Sequence, residues 1–368
     1  MCATTIVDMA SGTTRQISGP SVEGALGERA RRILASIVRD HIQAGEPVGS
    51  NAIAHEADCS SATVRAVMAD LEALGYLGKP HTSAGRVPTP KGYRYYVDAL
   101  LHLKPPLPAE RQMIEKRAND AAARVDGLFA ETSRMLHALT HHAGVVASPR
   151  LQGERLRRIE FVALREGRVL AVLVSRAGRV QNRLLALRRL YTDRELLEAQ
   201  NYLNELLGEL TLEEARVRIA TEMERDRREL SDLRERALSL GALAVQLDEP
   251  AIHLDGQETF LEEPRIAQDL AKMRALFKAL SERERLLGVL DRTLAAQELT
   301  IFIGAESGIQ EPELSIVAAP YRRGGEIVGA LGVIGPTRMD YSRVIPLVEF
   351  TARAVGLALD PMDAEERR

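Results

Sequence analysis

The stretch "SATVRAVMADLEALG", residues 61–75, decides how the N-terminal third of this chain is read. Val64, Val67, Met68, Leu71 and Leu74 recur at helical spacing as one apolar stripe, and Gly75 stands where a helix ends on a left-handed residue. The opposite side is Ala62, Arg65, Ala66 and Ala69. A solvated helix face is normally rich in Glu and Lys. One made of methyl groups and a single guanidinium can lie close against another surface, and the major groove of DNA is such a surface.

The residues on either side extend this reading. A helix pattern begins at Glu28, with Ala30, Ile33, Ile37 and His41 on one side and Arg29, Arg31, Arg32 and Arg39 mostly outside it, and "AGEPVG" (44–49) stops it. Ser50 is expected to cap a short helix "NAIAHEA" (51–57), and "DCSS" (58–61) turns the chain again. Three short helices with a tight second turn match a helix-turn-helix, whose third helix enters the groove. Ser60, Ser61 and Thr63 at the start of that helix, and Arg65 within it, are therefore candidate DNA contacts. Next comes "GYLGKPHTSAGRVPT" (75–89), two short extended pieces around a Gly/Pro/Ser turn, the pattern of a β-wing. Between residues 79 and 96 there is no carboxylate. Lys79, His81, Thr82, Ser83, Arg86, Lys91 and Arg94 are the candidates to face phosphate oxygens there. A solvated basic hairpin is the competing reading, and attachment to a helix-turn-helix favours DNA.

Composition bounds the remainder. A chain of 368 residues with 45% hydrophobic content can bury two or three cores, and a net charge of −3 permits a local basic face. No run approaches the ~18 apolar residues of a membrane span, and no secretory signal is recognisable, so a cytoplasmic location is the expectation. Cys2 and Cys59 make neither a disulfide framework nor a CxxC site. His137, His141 and His142 lack the companions of a metal motif. There is no P-loop, nucleophile elbow or dinucleotide fingerprint, so neither an enzyme nor a cofactor is expected.

Residues 1–24 read as a disordered extension and 25–104 as the winged-helix domain, closed by the break "KPPLP" (104–108). Ile114, Ala118, Ala121, Val125, Leu128, Thr132, Met135 and Leu139 then form a seam on one long helix suited to packing along another helix, favoured within the chain over self-association because it holds two alanines and a threonine. Strand patterns at 159–187 and again in "LTIFIG", "ELSIVAAPYR" and "EIVGALGVIGP" are separated by over a hundred helical residues, in which Thr192 with Glu195 and Thr211 with Glu214 form capping boxes. The expected class is α+β and multidomain, with an antiparallel sheet crossed by helices and interrupted by an insert. In "GPTRMDYSRV" (335–344), Asp340 is placed to cap a helical turn, and Pro346 argues that the regular helix begins near it.

"SSATVRAVMADLEALGYL" (60–77), "KPHTSAGRVPTPKGYRYYVDAL" (79–100) and "GPTRMDYSRVIPLVEF" (335–350) resemble the signatures of the heat-inducible transcription repressor family HrcA. The resemblance covers nearly everything after the N-terminal extension. It departs at Ala66, where the family commonly has Asn. The resemblance implies a winged helix-turn-helix, then a GAF-like domain in two parts (109–190 and 256–360) around a dimerising insert (191–255). It implies a homodimer that represses chaperone operons through the inverted-repeat operator CIRCE and is kept active by the chaperonin GroEL. The alternative is a winged-helix regulator that responds to a small ligand in its GAF-like domain.

Overall fold

The computed structural model describes residues 4–7, 14–17, 26–80, 85–122, 125–149, 155–164, 168–176, 180–187, 190–225, 232–245, 251–262, 269–309 and 313–360. The chain forms two compact units, Met1–Ser148 with Ala251–Arg368, and Pro149–Pro250. Within the stretch expected to lack regular structure, β1 (Thr4–Val7) and β2 (Thr14–Ile17) pair antiparallel with Thr4 opposite Ile17. Their β-branched residues favour that extended pairing.

The head of the first unit begins with α1 (Glu28–Ala44), which ends at the left-handed Gly45, whose N–H donates to the His41 carbonyl at 2.9 Å. In α2 (Ser50–Glu56) the cap is Gly49 and not Ser50, whose hydroxyl lies 3.0 Å from the Ser61 hydroxyl instead. Helix α3 (Ser61–Ala73) is capped by Ser60 and followed by Gly75 at φ +79°. Val64, Met68 and Leu71 are buried, but Leu74 lies beyond the last turn and is 51% exposed. Strands β3 (Leu77–Gly78) and β4 (Val87–Pro88) pair antiparallel and lead into α4 (Pro90–Ala99), with Thr89 as cap and Pro90 in its first turn. Residues 92–97 are all buried in α4.

The seam expected as one long helix is two helices, α5 (Pro108–Ala121) and α6 (Val125–Thr140). Arg117 Nε donates to Glu131 Oε1 at 2.6 Å, a contact across 14 residues that an unbroken helix would hold about 21 Å apart, so the pair folds back on itself. Folding back lets both halves of the seam bury Ile114, Ala118, Leu128 and Met135 within the chain. Strand β5 (Ala143–Ala147) follows, and the chain then leaves for the second unit.

That unit is a meander, β6 (Leu156–Ala163), β7 (Arg168–Ser175) and β8 (Val180–Ala186), with α7 (Asp193–Leu207), α8 (Leu212–Arg225) and α9 (Asp232–Ala244). Both capping boxes form: Glu195 N–H donates to Thr192 Oγ1 at 3.3 Å, and Glu214 N–H to Thr211 Oγ1 at 3.2 Å. The 159–187 strands, expected in one sheet with the C-terminal strands, form a sheet of their own, and the insert runs from 149 to 250 instead of 191 to 255. The cause is local satisfaction. Ile159, Phe161, Ala171 and Leu173 bury against Leu196, Ala199 and Leu203, while Asn204 and Gln200 accept the β6 edge N–H groups of Ile159 and Phe161 at 2.7 and 3.1 Å.

Returning to the first unit, the chain forms β9 (Ile252–Asp255), α10 (Leu270–Ser281), α11 (Arg283–Ala296), β10 (Thr300–Ile303), β11 (Leu314–Arg323), β12 (Glu326–Pro336) and α12 (Tyr341–Ala358). The sheet order is β10-β11-β12-β5-β9, each neighbouring pair antiparallel. Alternation divides it cleanly. Val146, Val317, Ala319, Leu331 and Val333 share a core with residues of α6 and α12, whereas Val145, Ile316, Ala318, Ala330 and Ile334 share another with α10 and α11. Gly144 admits α6 closely: a Cβ there would lie 2.1 Å from the Ser133 carbonyl oxygen.

Helix α12 runs unbroken from Tyr341 through Pro346, against the expectation that it starts near the proline. Pro346 has no N–H for the Ser342 carbonyl, and the Lys104 N–H, from the connection after α4, donates to that oxygen at 3.0 Å instead. Asp340 caps the helix as expected, accepting from Ser342 N–H at 3.1 Å. Among the described residues no helix is long and apolar enough to cross a membrane.

His142 follows α6, and burial, then the positive surroundings of His141, Arg338 and His137, hold its imidazole at about 4. The unfolded chain takes up this proton near ~6.5 and the folded one only near 4, so the stability it supplies is complete above that range and is lost as pH falls through it. Urea unfolding from pH 7 to 4 should therefore show a shallower acid loss in His142→Gln than in the parent protein.

Candidate nucleic-acid interface

The outward face of α3 is made by Ala62, Arg65, Ala66 and Ala69, all exposed, with Asp70 on its flank. At its start the hydroxyls are already engaged. Ser60 Oγ accepts from Thr63 N–H at 3.1 Å and lies 2.8 Å from the Thr63 hydroxyl, while Ser61 Oγ donates to Asn51 Oδ1 at 2.6 Å. These bonds fix the turn between α2 and α3. They bring Asn51, which the sequence reading did not single out, beside Ser60, Ser61 and Thr63 at the end of α3 that a groove-bound helix presents first.

The basic stretch after α3 divides into three groups. Lys79, just after β3, is exposed, and His81, Thr82 and Ser83 lie outside the described residues. Arg86 and Lys91, expected to face phosphates, are tied to α3. The Arg86 guanidinium pairs with Glu72 at 2.7 Å, while its backbone exchanges hydrogen bonds of 2.8 and 2.9 Å with Val48. Lys91 Nζ donates to the Leu74 carbonyl at 2.9 Å and sits 4.6 Å from the Tyr76 ring centroid, capping the carbonyl end of the helix.

Arg94 corrects the sequence reading outright. Its side chain is only 8% exposed. Nε donates to Glu306 Oε1 at 3.1 Å, Nη2 to the Ile301 carbonyl at 2.6 Å and to Glu306 Oε2, and Nη1 to Asp98 at 3.3 Å. Burial pulls its pKa down, but the bonds and charges of Glu306 and then Asp98 outweigh this and raise it. Asp98 is raised, chiefly by burial and only partly offset by Arg94. A guanidinium so enclosed cannot reach a phosphate. The i,i+4 spacing of Arg94 and Asp98 was the one sequence signal of this pairing, whereas Glu306 lies 212 residues away.

Arg94→Ala would strand two partly buried carboxylates and should cost about 2–3 kcal/mol, toward the low end because Glu306 is 36% exposed. Arg65→Ala, on the exposed face, should stay within about 0.5 kcal/mol. Thermal or urea unfolding of the two variants measures the contrast.

Among the described residues no group of three or more His, Cys, Asp or Glu is gathered to hold a metal. The chain from 126 to 345 matches the family model described as the HrcA protein C-terminal domain. The heat-inducible transcription repressor HrcA of Anaeromyxobacter sp. (strain K) is 48% identical over 342 residues, spanning 91% of this chain and 96% of that one. Its namesake from Geobacter sulfurreducens is 45% identical over 338 residues, spanning 91% and 98%. A crystal structure of a hypothetical protein aligns with TM-score 0.54 at 21% identity over 91% of this chain and 99% of its own, a likeness of fold. A family model spanning more than half of the sequence, together with relatives this similar along most of its length, shows that the chain belongs to the HrcA family of heat-inducible transcription repressors.

Proposed function

We propose that this protein is a cytoplasmic transcriptional repressor that binds an inverted-repeat operator as a homodimer. The observation that carries the reading is the exposed Ala62, Arg65, Ala66 and Ala69 face of α3, with a wing beside it. In this reading α1 to α3 with β3 and β4 are a winged helix-turn-helix, α3 lies in the major groove, and Arg65 reaches base edges. Lys79 supplies phosphate contact, joined by His81, Thr82 and Ser83, which follow it in the sequence. The five-stranded sheet with helices on both faces is the GAF-like body. Family membership supports the further reading that the operator is CIRCE, that the genes controlled encode chaperones, and that GroEL keeps the repressor active. A body whose β5 pairs with a β12 almost two hundred residues later folds through non-local contacts, which suits a chaperonin client.

Dimerisation through the insert is supported by the outer face of its sheet. Val162, Val180 and Leu184 are 46%, 59% and 52% exposed, and the register sets Leu170 between Val162 and Leu184, and Val174 opposite Val180. A second copy would cover this aliphatic face. Leu184→Asp should shift the protein to monomer in sedimentation without unfolding it.

Footprinting on host genomic DNA tests operator binding. Arg65→Ala should cost about 1–3 kcal/mol on the protected site with little effect on nonspecific DNA, whereas Lys79→Ala should weaken both and flatten the salt dependence. Inserting about five base pairs between half-sites turns one by half a helical turn and should nearly abolish binding. An unprotected genome, or equal loss of discrimination from the two variants, would overturn the reading.

A further inference from the structure

The connection between the head and the body is built as a rigid joint. Leu100, Leu101 and Leu103 of the intervening segment pack against a single core that runs from Ile33, Ile37 and Tyr93 of the head to Tyr341, Val344 and Val348 of the body. The rings of Tyr93 and Tyr341 lie 6.3 Å apart, and Tyr93 is itself held by His41 Nδ1 at 2.7 Å from its hydroxyl. The Lys104 N–H occupies the Ser342 carbonyl that Pro346 leaves open. The proline-rich break therefore does not act as a swivel.

Apolar contacts hold the two surfaces together, but the hydrophobic effect is itself non-directional and sets their angle less sharply than a charged fork does. A guanidinium fork on a carboxylate does fix direction. Arg94 supplies that element: it leaves α4 of the head and meets, at one point of the body, both oxygens of Glu306 and the Ile301 carbonyl. Glu306 is in turn oriented by accepting from the Ile303 N–H at 2.9 Å.

We infer that the Arg94–Glu306 pair is a positioning latch that sets the angle of the DNA-reading head on the body and thereby the half-site spacing that the dimer accepts. The inference rests on the operator-binding reading above. Two heads of a dimer must present their groove helices one helical turn apart, or a multiple of it, so a fixed head angle selects one spacing. Heads free to tilt would accept neighbouring spacings by avidity alone. Arg94 and Glu306 touch no DNA in this scheme and act through the orientation of α3.

The test uses the full chain and duplexes carrying the footprinted inverted repeat, with its centre unchanged or altered by one or two base pairs, together with a single half-site duplex. The parent protein should prefer the natural centre by ~10-fold or more, and in Glu306→Gln and Arg94→Met that preference should fall to within ~3-fold while half-site affinity changes less than ~2-fold. Glu306→Gln nearly preserves shape and stays decisive if Arg94→Met is too unstable to assay, as thermal unfolding would reveal. An undiminished preference in the variants, or none in the parent protein, overturns the latch. Loss of half-site affinity also overturns it, because the pair would then be supporting the head's own fold. A parent protein that binds no inverted repeat overturns the operator reading itself.

Discussion

A buried guanidinium must have acceptors for its N–H groups, and meeting that demand at Arg94 organises the first unit. Its acceptors come from three places in the sequence: Asp98 one turn along the same helix, the Ile301 carbonyl in β10, and Glu306 in the short turn after it. Removing any partner leaves charge in a poorly solvated place, so α4 and the β10 end of the sheet are committed to one another. The aromatic contact of Tyr93 with Tyr341 and the Lys104 bond to Ser342 depend on that same placement of α4. Among the described residues, head and body fall within a single compact unit.

The outward face of α3 is the complement of its buried stripe, and two of the basic residues near it are engaged elsewhere. Arg86 neutralises Glu72, and Lys91 caps the Leu74 carbonyl. Both are tied to α3, and Arg65 with its alanine neighbours is open to solvent, with Asp70 exposed on the flank. A close approach by another surface meets methyl groups there and little side-chain entropy to lose.

Two ways of building a sheet and its core coexist in the chain. The body sheet gathers strands from distant parts of the sequence, with β5 between β12 and β9, and covers both faces with helices. The insert closes its own core from consecutive elements, and side-chain amides of Gln200 and Asn204 take the edge of β6. Long intervening segments raise the entropic cost of closing the former, whereas the latter is built from local pairings.

The sequence by itself determined what depends on neighbours a few residues apart. The α3 stripe and its Gly75 terminus, the Asp340 cap and the Thr–Glu capping boxes were all legible, because their partners lie within one or two helical turns, whereas the cap expected of Ser50 falls to Gly49 and that of α3 to Ser60. So was the outward α3 face, which is the complement of the buried one. Only the tertiary structure decided the rest. Arg86, Lys91 and Arg94 look alike in a carboxylate-free stretch, yet Glu72, Leu74 and Glu306 determine their roles, and no short-range pattern reports a partner such as Glu306. The single long helix became two because its seam is buried better when folded back, and the 159–187 strands left the main sheet because α7 satisfied both their apolar face and their edge. Pro346 sits inside a helix because a backbone N–H more than two hundred residues earlier in the chain takes up the carbonyl it cannot serve.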